Sequence, residues 1–244
     1  MNNLGVIFRR ELGSYFATPL AYIFIVIFLV MASLFTFDVG GFYEAGQADL
    51  IAFFNFHAGL YLFLIPAVAM RLWAEERKSG TIELLMTLPV SRSAMVLGKF
   101  LAAWVFVGIA LVLTFPMVLT VNYLGAPDNG AILTGYIGSW LMAGGYLAIG
   151  SCMSALTKNQ VIAFILSVVV CFLFVVSGVS MVQNAFSGWA PQWVLDTLAS
   201  FSFLTRFEAI SKGVLDVRDL LYFFSLMGAW LLATAVVIDL KKAD

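Results

Sequence analysis

Read only for apolar and polar positions, the 244-residue chain is a series of long greasy runs parted by short polar clusters. Six runs stand out, at 20–37, 50–70, 95–123, 131–156, 161–182 and 220–238, each essentially free of acids and bases between its ends. A helix needs about 20 apolar residues to cross a hydrocarbon core about 30 Å thick, and these runs have that length. Helices are also the form in which a lone segment satisfies its own backbone in lipid, and the runs are about twice as long as a barrel strand needs. The pattern predicts an all-α polytopic membrane protein with six transmembrane helices in one bundle.

Three polar or mixed segments complete the organisation of this single domain, 1–244. In 1–19, Leu4, Ile7, Phe8, Leu12, Tyr15 and Phe16 fall at helical spacing against Arg9, Arg10, Glu11 and Ser14. That spacing suits an interfacial helix lying on the membrane, with Pro19 marking the turn inward. The longest connection, 183–219, holds Trp189, Trp193, Phe201, Phe203 and Phe207; aromatics at that density favour the headgroup zone, so partly re-entrant short helices are expected.

The third segment, 71–94, concentrates charge. Arg71 to Lys78 continue the second helix, Ser79-Gly80 break it, and Thr81 caps a new helix with Glu83 in its first turn. Pro89 stops that helix after roughly two turns, about 12 Å, and Ser91 or Ser93 caps the third span. A rod this short is not stable alone, and Ile82, Leu84, Leu85, Met86 and Leu88 leave little of it polar. It has to bury itself in the bilayer or in a groove on another protein; charges on both flanks favour the groove.

Composition sharpens this picture. Hydrophobic residues make up 62% of the chain and charged ones 11%, against about 25% charged in an ordinary soluble domain. Ten Lys and Arg residues lie on one side of the spans (9, 10, 71, 77, 78, 92, 99, 158, 241 and 242) and three on the other (206, 212 and 218). The bias puts both termini and the 71–94 loop in the cytoplasm. Arg9-Arg10 ahead of an apolar run matches neither a cleaved signal nor a twin-arginine signal well, so an uncleaved first span is expected. Cys152 and Cys171 lie inside apolar runs and read as small buried residues rather than a disulfide. No internal repeat is visible.

Candidate chemistry is sparse. Gly144, Ala148, Ser151 and Ala155 form a small-residue stripe, a helix-packing device within the subunit or at a dimer seam. His57, the only histidine, has no intramembrane carboxylate or second histidine beside it and reads as a hydrogen-bonded structural group. Pro66 and Pro116 mark bends. No nucleophile with a base, paired carboxylate or metal set appears in the spans, so no enzyme activity is expected, and neither is a nucleic-acid partner.

The polar loop carries a resemblance. Glu75-Glu76-Arg77-Lys78-Ser79-Gly80-Thr81-Ile82-Glu83-Leu84-Leu85, then Leu88-Pro89-Val90-Ser91 and Gly98-Lys99-Phe100, behind an interfacial helix and among six spans, resemble the ABC-2 class of ATP-binding-cassette transporter permeases. Arg10-Glu11-Leu12, Tyr15-Phe16 and Pro19-Leu20-Ala21-Tyr22, with Phe207, Lys212-Gly213-Val214-Leu215-Asp216 and Asp219-Leu220, are similar to the GldF-like, gliding-motility-associated branch. The resemblance implies that 81–88 is a coupling helix seated in a cytoplasmic ABC ATPase, present in two copies. Docking residues would be Glu75, Glu76, Gly80, Thr81, Ile82, Glu83, Leu84, Leu85, Met86, Leu88 and Pro89. It further implies a second permease copy or relative, a bacterial inner-membrane location, export and room for an accessory subunit. No G-x-x-x-x-G-K-[ST] motif occurs, so this chain binds no cofactor by that reading, and ATP with magnesium belongs to the partner. Two other readings stay open: a non-transporting anchor or assembly subunit, and an ion-coupled secondary transporter. The second usually keeps an ionisable group near the bilayer centre, which these spans lack.

Overall fold

The computed structural model describes residues 3–83, 90–179 and 200–241, with residues 182, 184, 191–193 and 197 besides. All regular structure among them is helical. In chain order the elements are α1 (Asn3–Phe16), α2 (Pro19–Leu34) with a π-helical turn Phe35–Val39, α3 (Phe42–Ala45), α4 (Ile51–Asn55), α5 (His57–Ala69), α6 (Arg71–Ser79), α7 (Arg92–Val112), α8 (Phe115–Leu124), α9 (Asn129–Leu156), α10 (Gln160–Val176), α11 (Phe203–Ser211) and α12 (Val217–Leu240).

Five helical stretches among the described residues are long and apolar enough to span a membrane: Pro19–Val39, His57–Ser79, Arg92–Leu124, Asn129–Leu156 and Val217–Leu240. The expected fifth span, 161–182, appears as the 17-residue α10, which stops at Val176. At 1.5 Å per residue it covers roughly 25 Å, the lower limit for a span. The second and third spans are also less regular than their uniform apolar pattern predicts. The second begins as α4, breaks at Phe56, and is interrupted again at Met70. The third jogs at Leu113–Thr114, just ahead of Pro116 in the first turn of α8. Pro66 lies within α5, and its carbonyl accepts the Met70 amide at the end of that helix.

α9 is the centre of the molecule, packed against α5, α6, α7, α10, α11 and α12. Residues 141–155 are buried without interruption, as expected of a helix apolar on every side. The small-residue stripe makes this possible. A Cβ on Gly144 would lie 2.5 Å from Met227 Sδ of α12 and 2.9 Å from Trp104 Nε1 of α7, so only glycine lets both neighbours close in. Ala148, Ser151 and Ala155 are buried in the same core. α7 and α9 are joined by Trp104 and Trp140, whose rings stack at 4.1 Å while each indole N–H donates to the other's backbone carbonyl, at 2.8 and 3.1 Å.

At the end of the bundle opposite α1, α11 drops into the core. Ser202 caps it through the amides of Leu204 and Thr205, and Phe203 stacks on Tyr146 at 4.7 Å, midway along α9. Non-spanning backbone is tolerated at that depth because it is enclosed in protein. Arg206 pairs with Asp219 at 3.0 Å and ties α11 to the start of α12. Trp189 lies outside the described residues.

Candidate coupling site at the charged end of the bundle

α6 is where the chain leaves its apolar run, and its nine residues carry Arg71, Glu75, Glu76, Arg77 and Lys78. The helix does not stand free. Glu76 and Glu11 of α1 both reach Lys99 of α7, at 2.6 and 3.2 Å, and the Lys99 side chain is only 5% exposed. Its ammonium also sits 5.3 Å from the centre of the Trp73 ring. One buried cation therefore binds three helices. For Glu11, burial alone would raise the carboxyl pKa, but Lys99 and Arg10 beside it outweigh burial and hold it below the ordinary value. α1 lies along α7, Tyr15 stacked on Phe106 at 4.9 Å, so its apolar face is spent on protein as well as on the membrane surface.

The other face of α6 is fastened to the last turns of α9. The Trp73 indole donates to Ser151 Oγ at 3.0 Å, and the Arg77 guanidinium donates to the carbonyl of Ala155. Lys241, at the end of α12, donates to the Leu156 carbonyl at 2.7 Å. Two cations thus meet the unpaired carbonyls where the α9 dipole is negative. Ser154 Oγ accepts the amides of Trp73 and Ala74, both at 3.0 Å, and donates to the Met70 carbonyl at 2.8 Å. Arg92 and Asp239 close the rim at 2.7 Å.

Of the residues expected at a docking surface, the described ones divide. Gly80 ends α6 with φ of 73°, a left-handed turn that glycine adopts without strain. Thr81 and Glu83 are exposed in the short helical stretch that follows. Ile82 is half-buried against Trp73, Met95, Val96 and Ile238. Glu75 is engaged by Arg71 at 2.8 Å, and Glu76 points inward to Lys99, so neither carboxylate is a free flank. Leu84, Leu85, Met86, Leu88 and Pro89 lie outside the described residues. Ser91, of the two caps weighed, is the one whose side chain accepts the Ala94 amide.

Sequence reasoning passed over Ser154 and the bridging role of Lys99. A solitary lysine two turns into an apolar helix was a visible signal; nothing in the pattern singled out Ser154 from its small neighbours. His57 is fully buried between aromatic rings, with Nδ1 at 2.8 Å from Ser139 Oγ, which in turn meets Tyr61 OH at 2.7 Å. Among the described residues no group of three or more metal-ligating side chains occurs. Cys152 and Cys171 are both free and buried.

Fold and site together define a polytopic all-helical membrane protein whose charged rim is tied into its spans. A family model for ABC-2 family transporter proteins matches residues 14–240, nearly the whole chain, and the chain belongs to that family. It is therefore a membrane permease subunit of an ABC transporter, a class that works in the bilayer with an ABC ATPase and is usually not catalytic itself. No curated protein matches it.

Proposed function

We propose that this chain is the permease of an exporter of the GldF-like branch, and that 81–88 is the coupling helix by which a separate cytoplasmic ATPase drives it. Two ATPase copies and a second permease copy or relative complete the machine, with ATP and magnesium held by the ATPase. Both termini and the 71–94 loop face the cytoplasm of a bacterial inner membrane. The observation that carries this reading is the buried Lys99 bridge to Glu11 and Glu76, together with the bonds from α6 to residues 151–155. A force applied beyond Gly80 meets α1, α7 and α9 as one body, and a packed interface passes such a displacement on as a rigid shift.

Docking is tested by changing Leu84 and Leu85 to Glu. The partner ATPase is expected to be lost on copurification while membrane insertion stays normal, since both residues lie in sequence between the apolar runs 50–70 and 95–123. Full retention of the ATPase by the double variant would show that it docks elsewhere.

A further inference from the structure

The second span is two helices end to end, α5 and α6, and the joint at Met70 is held from outside. Met70 supplies no side-chain cap to α6. The amides of Trp73 and Ala74, in the first turn, donate to Ser154 Oγ, and the same hydroxyl donates to the carbonyl of Met70 itself. A serine hydroxyl has one proton and two lone pairs, and here all three are used at the joint. A side chain entering the backbone ladder is one of the few recognised causes of a break within a helix. Pro66 adds to it, because a ring at that position removes an amide one turn before the joint.

The residues on either side of Met70 belong to different environments. α5 is apolar and embedded; α6 carries most of the charge of the loop. Ser154 is fully buried and lies one turn from the end of α9, so it is fixed by the most enclosed helix of the molecule. The other bonds from α6 to α9, from Trp73 to Ser151 and from Arg77 to Ala155, lie along the arm rather than at the joint.

We propose that the joint at Met70 fixes the angle of α6 within the second span and that Ser154 is the pin that holds it: a positioning residue for coupling. The proposal rests on the reading of α6 as the arm that leads to the ATPase. Its physical core concerns the permease alone.

Hydrogen exchange on the purified full-length protein in nanodiscs tests it. In Ser154→Ala the amides of residues 71–76 should exchange about tenfold faster, the loss of a buried hydrogen bond, while 57–69 keep their protection. Ser151→Ala, which frees the Trp73 indole but spares the joint, should change the 71–76 amides less than about twofold. Ser154→Cys, similar in size with a weaker donor, should fall between. Unchanged exchange at 71–76 in Ser154→Ala overturns the proposal. So does loosening spread equally over 57–69, or an equal effect of Ser151→Ala. An ATPase that fails to copurify with the wild-type permease would count against the docking reading and leave the exchange result standing.

Discussion

At the scale of single residues, Lys99 decides how the charged rim behaves. A buried ammonium is tolerable because two carboxylates and an indole face compensate its lost hydration. Removing it strands Glu76 and leaves Glu11 with Arg10 alone, and breaking a buried pair from one side costs about 3 to 5 kcal/mol. Lys99→Met, which keeps the length of the side chain, is expected to release α1 from α7. Limited trypsinolysis should then cut at Arg9 and Arg10 faster than in the wild type, and Lys99→Met with Glu11→Gln and Glu76→Gln should recover part of the protection. The pH dependence has a definite sign. Because the Glu11 carboxyl pKa is lowered on folding, its contribution is fully present above the unfolded value of 4.5 and lost only as pH falls through the lower folded value. Exchange protection of residues 4–16 should therefore decline as the pH falls below 4.5. Protection of 4–16 that stays unchanged well below pH 4.5 would mean that Glu11 is not held by Lys99.

At the scale of elements, apolar periodicity found the helices but not their interruptions. The boundaries of α9 and α12 lie within about three residues of the runs that predicted them, because caps such as Asp128 and Asp216 stand at the edges of the apolar pattern. The joint at Phe56 falls inside one apolar run, and at Met70 the change from apolar to charged residues reads in the sequence as a helix continuing beyond the run rather than as a break. At Met70 the compensating groups come from a helix 80 residues away in sequence, as the Ser154–Ala74 bond shows. The direction of Glu76 was hidden for the same reason: charge marks a segment as outside the apolar core, but the facing of each side chain depends on which neighbours close over it. The small-residue stripe was legible, since α9 needs close approach wherever it is surrounded. Gly144→Leu is expected to force α7 and α12 apart and to cost about 1 to 3 kcal/mol. A lower midpoint of thermal unfolding in detergent is the measurement; an unchanged midpoint would mean the contact of Gly144 with Met227 and Trp104 is not tight in the membrane.

For the molecule as a whole, orientation is the property on which the functional reading depends, and it rests on an asymmetry between the two ends. The end with α1 and α6 carries nine of the twelve described basic residues, and several of them are built into the fold: Lys99 into the bridge, Arg77 and Lys241 onto the carbonyls of α9, Arg92 onto Asp239. The other end carries three, of which Arg206 is bound by Asp219 and Lys212 by Glu208. Positive charge is retained on the cytoplasmic side during insertion, so the end with α1 and α6 is proposed to face the cytoplasm. Single cysteines placed at the two ends can be labelled with a membrane-impermeant maleimide in intact cells. Background from Cys152 and Cys171 is expected to be low because both are buried. Val214→Cys, exposed between α11 and α12, should react from outside, and Ser79→Cys, exposed at the end of α6, only after the membrane is opened. The reverse pattern would put the α6 arm on the side where no ATP is available, and a coupling role for it would be physically untenable.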